Sequence, residues 1–190
     1  MKKMVCLALL ALLAMPSFAQ YRDVKLPQQP KQNNYRDYTS EDKGFWYALE
    51  AEGGSTIMEH SRNMQYVNLT FTGGYRLSEF LRVGAGFGGR MYVNNDEVRN
   101  TGSKFGVPIF ANVRGNIISA QDRDGVPFWS VNIGGITKEG FYLNPTIGYS
   151  FGGVRNNFLI GLSYTWSSYK DKAEDNRTYS GFGLKLGYEF

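Results

Sequence analysis

The run Tyr66-Val67-Asn68-Leu69-Thr70-Phe71-Thr72-Gly73-Gly74-Tyr75-Arg76-Leu77 changes character at nearly every step. Val67, Leu69, Phe71, Tyr75 and Leu77 fall on one side, and Asn68, Thr70, Thr72 and Arg76 on the other. A period of two is the signature of a strand with one apolar and one polar face, and no helix accommodates it. After the tight connection Ser78-Glu79 the same alternation resumes. Leu81, Val83, Ala85, Phe87 and Met91 oppose Arg82, Gly84, Gly86, Gly88 and Arg90.

Extending this pattern in both directions yields eight segments, over 45–52, 66–77, 80–93, 105–116, 128–136, 141–151, 158–166 and 179–190. Most approach the roughly 9–11 residues that a tilted strand needs to cross a bilayer. The connections tend to alternate in length. Those at 53–65, 94–104 and 167–178 are long, while 78–79 and 152–157 are short; 117–127 and 137–139 break the rhythm. The fold class expected is all-β, an eight-stranded antiparallel up-and-down transmembrane barrel.

Composition agrees. The chain of 190 residues suffices for one domain, and its 23 glycines and 15% aromatic content disfavour helices. Lys2-Lys3, the apolar run Met4 to Met15, and Ser17-Phe18-Ala19 have the order of a secretory leader cleaved after Ala19. The apolar run is too short for a spanning helix, which needs about 20 residues. Residues 1–19 are therefore expected to be a signal peptide, 20–43 a flexible periplasmic extension rich in Gln, Asn and Pro, and 44–190 the barrel. Tyr21, Tyr35 and Tyr38 leave open a second reading of the extension, as a docking segment.

Without the leader, 19 basic residues face 17 acidic ones. The bases occur singly along the strands, so a nucleic-acid partner is not expected. Cys6, the only cysteine, falls in the leader, which excludes disulfide and thiolate chemistry from the exported chain.

Alternation does not say which face meets which medium, because a soluble ligand-binding barrel also has one apolar face. Volume separates the two cases. About forty large side chains exceed the interior of an eight-stranded barrel, which is filled by a modest set of residues. The apolar face is expected to point outward, with Tyr47, Tyr75, Trp129, Tyr149, Trp166, Tyr188 and Phe190 near the strand ends where aromatic girdles sit. The opposite face carries Gly84, Gly86, Gly88, Gly134, Gly148, Gly161, Gly181 and Gly183, and is expected to hold the aromatic-free interior. Its charges are Glu50, Glu52, Arg76, Arg82, Arg90, Arg114, Lys185 and Glu189, expected to form a salt-bridged plug because an unpaired buried charge costs several kcal/mol. Closing the barrel makes the first and last strands neighbours and brings Glu50 within reach of Lys185. A narrow selective pore is the lesser reading, since open channels belong to barrels of about sixteen strands.

The last segment, Tyr179 to Phe190, resembles the C-terminal strand of outer-membrane β-barrel proteins, with Phe190 at the terminus and Tyr188 two residues before it. The whole of 45–190 is similar to the small OmpA/OmpX-type barrels. The resemblance implies that Tyr188 and Phe190 are read by the barrel-assembly machinery. It also implies residence in the outer membrane of a Gram-negative-type bacterium, among lipid and lipopolysaccharide, as a monomer whose loops are free to meet a surface ligand.

Some barrels of this size act on lipid A as deacylases or acyltransferases, which is the enzyme reading to weigh. Such chemistry needs a nucleophile and a base within hydrogen-bond reach. His60, the only histidine, is flanked by Glu59 and Ser61 in the first long loop, and neighbours on an extended backbone point apart. No catalytic residue is expected, and no cofactor. A zinc site lacks its usual ligands, and Asp122-Arg123-Asp124-Gly125 is a turn without the distal glutamate of a calcium loop.

Overall fold

The structure is a computed structural model that describes residues 43–57, 64–93, 104–120, 123–137, 139–152, 155–170 and 176–190. The expected signal peptide, nearly all of the 20–43 extension, His60 with its neighbours, Asp122, and the tips of the long loops lie outside the described residues.

One sheet contains β1 (Gly44–Ile57), β2 (Gln65–Ser78), β3 (Leu81–Tyr92), β4 (Phe105–Gly106), β5 (Pro108–Asn116), β6 (Gly125–Ile136), β7 (Gly140–Phe151), β8 (Asn157–Lys170) and β9 (Asn176–Glu189). β4 and β5 are two pieces of one wall position, both antiparallel to β3. Strands adjacent in sequence pair antiparallel, and β1 pairs with both β2 and β9. The sheet thus closes on itself as an eight-stranded antiparallel barrel. Beyond the end of β9, Tyr47 and Phe190 exchange both backbone hydrogen bonds at 2.9 Å, which carries the closing seam to the last residue.

Prolines mark two of the places where the wall departs from a regular ladder. Pro108 brings no N–H. Beside it, Val107 leaves the β3 ladder, its N–H donating to Thr137 Oγ1 at 2.9 Å while the Thr137 N–H donates to the Val107 carbonyl at 3.0 Å. At Pro145 the β7–β8 ladder is interrupted, with no change of register, between Leu143 opposite Trp166 and Thr146 opposite Ser163. There the Asn144 side-chain amide donates to the Tyr164 carbonyl at 3.3 Å, supplying a donor where the proline has none. Gly140 opens β7 at φ +106°, a conformation that L side chains rarely adopt, directly after the tight turn closed by the Glu139 N–H on the Ile136 carbonyl.

All eight expected segments are strands, but several are longer. β1 continues through Gly53–Ile57, β8 runs to Lys170, β9 begins at Asn176, and β6 begins at Gly125. At Gly53–Ser55 β2 and β9 both pair with the extension, and at the extended ends of β6, β8 and β9 one neighbour supplies the ladder; this cross-strand pairing outweighs weak intrinsic propensity. The tight connection after β2 is Glu79–Phe80, with a register shift between Arg76 and Ser78.

The side chains sort as the alternation requires. Leu162, Ile147 and Ile109 are exposed on the outer wall at 72%, 68% and 61%, whereas Glu50, Asn132, Asn144 and Glu189 inside are at most 1% exposed. One expectation is overturned: the inner face is not free of aromatics. Trp46, Tyr66, Tyr92, Phe110, Phe128, Tyr142 and Tyr179 are all buried. The interior glycines accommodate these rings. A Cβ on Gly86 would stand 2.6 Å from the Phe110 ring, one on Gly148 2.7 Å from Phe128, and one on Gly54 2.5 Å from Tyr66. Sequence alternation reports the polarity of a face but not the pairing of large with small side chains across neighbouring strands, which is how a narrow interior fills.

Candidate functional site

The charged interior is the one chemically distinctive region among the described residues. It is organised as three clusters along the barrel axis, starting from the end where β1 begins and β9 finishes.

In the first cluster, Glu189 of β9 meets three arginines. Arg76 Nη2 lies 2.7 Å and Arg82 Nη1 2.6 Å from Glu189 Oε1, and Arg114 Nη1 lies 3.6 Å from Oε2. Arg82 also donates to Asn116 Oδ1 at 2.9 Å, and Arg114 Nε to Asn112 Oδ1 at 2.8 Å. Arg114 continues to Glu50, 3.1 Å away, and its guanidinium lies 4.5 Å from the centre of the Trp46 ring. Each arginine is thus charge-paired, as a desolvated cation must be, and one is also stacked on an aromatic face.

The second cluster surrounds Glu52. Tyr66 and Asn68 donate to its two oxygens at 3.1 and 3.0 Å, and Asn144 of β7 and Ser163 of β8 add donors from the other side of the closing seam. Lys185 faces Glu52 in the β1–β9 register. Its ammonium, however, donates to Asn144 Oδ1 at 2.7 Å and Thr146 Oγ1 at 2.9 Å. The approach of Glu50 to Lys185 does not occur. Glu50 lies opposite Gly187, which has no side chain to meet, and its carboxylate extends to Arg114 instead.

The third cluster lies towards the other end. Arg90 donates to Asn68 Oδ1 at 2.7 Å and to the Tyr179 hydroxyl at 2.9 Å, and sits 4.6 and 5.2 Å from the Tyr66 and Tyr142 ring centres. Tyr179 donates to Glu139, and Tyr92 shares a 2.7 Å hydrogen bond with Tyr179.

All eight residues singled out from the sequence, Glu50, Glu52, Arg76, Arg82, Arg90, Arg114, Lys185 and Glu189, are buried in this interior. Glu139 was not among them, because it sits in a turn where alternation carries no information. Trp46, Tyr66, Tyr92 and Tyr179 share the parity of the charged positions, which is the signal that could have placed them inside. Tyr188 and Phe190 lie on the outer wall, where Tyr47 packs on Phe190 with ring centres 5.9 Å apart.

Chemically, the arrangement binds its own charges. Side chains from β2, β3 and β5 cross to β9; Glu52, Glu139 and Glu189 accept hydrogen bonds from neighbours, and Glu50 is held by its ion pair with Arg114. At the end holding Phe190, a cavity of about 30 Å³ is lined by Lys43, Trp46, Arg76, Arg155 and Phe190 among others. That is the size of a water site rather than a solute site.

No protein-family model matches the chain, and no curated protein matches it in sequence. Among solved structures, Neisserial surface protein A aligns over 76% of this chain and 95% of its own, with a TM-score of 0.56 and 13% identity. At that identity the likeness is one of fold: the chain has the architecture of an eight-stranded outer-membrane barrel such as Neisserial surface protein A.

Proposed function

We propose that this chain is an integral outer-membrane barrel with a structural or surface-interaction role and a lumen closed by its own ion pairs. The observation that carries this reading is the inversion of the usual sorting. The interior holds four glutamates, four arginines and a lysine, and large apolar side chains such as Leu162 and Phe182 cover the outside. Only a hydrocarbon surrounding makes that wall favourable, since a contiguous apolar belt of this extent is not kept by a monomer in water. The fold shared with a protein named for the surface supports the same location.

On this reading residues 1–19 are removed on export, and the chain crosses the periplasm as a client of the barrel-assembly machinery, with Tyr188 and Phe190 as the recognition pair. The long loops then reach outward among lipopolysaccharide, held by a rigid scaffold as contact loops usually are.

The test is fractionation of cells expressing the full chain, combined with gel mobility before and after heating. The expected result is outer-membrane recovery, an N-terminus at Gln20, and a compact band that shifts on boiling. Recovery in the soluble periplasm as a folded monomer without detergent overturns the proposal. Lipid A released from the same cells, analysed with and without His60→Ala, decides against the non-enzymatic role if a modification appears and depends on His60.

A further inference from the structure

The charges of the interior are segregated by strand in a way that the closed barrel alone does not require. Strands β2 to β8 contain no aspartate or glutamate, whereas β1 contributes Glu50 and Glu52 and β9 contributes Glu189. The carboxylates therefore come from the two strands that meet at the closing seam, apart from Glu139 in a turn.

Three of the four interior arginines form a row near the end where β1 begins and β9 finishes. Arg76 lies directly opposite Arg82 between β2 and β3, and Arg82 directly opposite Arg114 between β3 and β5. Like charges directly opposite on adjacent strands repel, and they repel more strongly as water is withdrawn. A sheet containing β1, β2, β3 and β5 thus carries an electrostatic conflict when it leaves water. Glu50 meets the row at Arg114. Glu189 is where all three guanidiniums meet a carboxylate, and it arrives on the last strand.

We infer that Glu189 is a closure latch. The docking of β9 on β1 neutralises a repulsive row that the earlier strands have assembled, so the closed barrel is selected over the open sheet at the moment the apolar medium takes it up. The inference rests on the charge placement and holds whatever the loops bind.

The experiment refolds the full chain from urea into dodecylphosphocholine micelles. It follows strand content by far-ultraviolet circular dichroism and closure by the heat-modifiable band. Glu189→Gln is expected to keep most of the strand signal while the closed fraction falls about tenfold or more, the order expected for uncompensated buried charge. Adding Arg82→Gln to Glu189→Gln is expected to restore most of the closure by relieving the row. Glu52→Gln serves as the control, because Glu52 is held by Tyr66 and Asn68 rather than by the row. Its defect is not expected to respond to Arg82→Gln.

Closure of Glu189→Gln with wild-type yield and rate overturns the latch. So does a double variant that closes no better than Glu189→Gln, including the case in which neither folds. Equal rescue of Glu52→Gln by Arg82→Gln also overturns it, since the loss of Arg82 would then be a general stabiliser.

Discussion

The Lys185 ammonium on β9 donates to Asn144 Oδ1 on β7 over 2.7 Å, with the whole of β8 between the two strands. The bridge is possible because the residue of β8 opposite Lys185 is Gly161. A Cβ there would stand 2.9 Å from Thr146 Cγ2 and 3.1 Å from the Ile147 carbonyl. Gly161→Val should therefore destabilise the barrel by about 1–3 kcal/mol through overpacking and displacement of the lysine stem. Gly53→Ala, whose new methyl has nothing within 4 Å, should stay within about 0.5 kcal/mol. Urea midpoints of the two variants in micelles check the contrast.

Glu52 is the common acceptor of the central cluster. Glu52→Leu leaves the donors of Tyr66, Asn68, Asn144 and Ser163 facing an apolar group in a dry interior. The expected loss is about 3–5 kcal/mol, the range for breaking a buried charged network by removing one partner. Equilibrium unfolding gives the value, and a loss under 1 kcal/mol contradicts the assignment.

The outer wall makes a depth-dependent prediction. Leu162 lies at the middle of the apolar run of β8, between Phe158 and Trp166, and Val93 lies just past the end of β3. Both are more than half exposed. Arginine at 162 should cost about 2–4 kcal/mol in a bilayer and at 93 about 0–1 kcal/mol. Refolding into lipid vesicles measures both, and equal costs contradict a membrane-centred belt.

The three clusters of ion pairs and hydrogen bonds predict a barrel closed to ions. In planar bilayers the purified chain should give no resolved conductance steps at moderate voltage. Steady stepwise currents proportional to protein added contradict the plug.

The architecture was legible because alternation repeats. Val67, Leu69 and Phe71 against Asn68, Thr70 and Thr72 assign a face at every residue, and the small volume of eight strands assigns that face to the outside. Strand ends were less legible. Gly53-Gly54-Ser55 reads as a loop, yet it pairs with Gln65 to Val67 on one side and Phe182 to Leu184 on the other. Two neighbours supply hydrogen bonds that no local preference registers.

The sequence by itself determined that Glu50, Glu52, Arg76, Arg82, Arg90, Arg114, Lys185 and Glu189 face inward, because parity along one strand is a local property. Only the tertiary structure decided their partners. Glu50 takes Arg114 rather than Lys185, Lys185 spans a glycine to reach Asn144, and Glu139 enters from a turn. Those outcomes depend on the register between strands far apart in the chain and on which opposing position is a glycine. Neither quantity exists until the barrel closes.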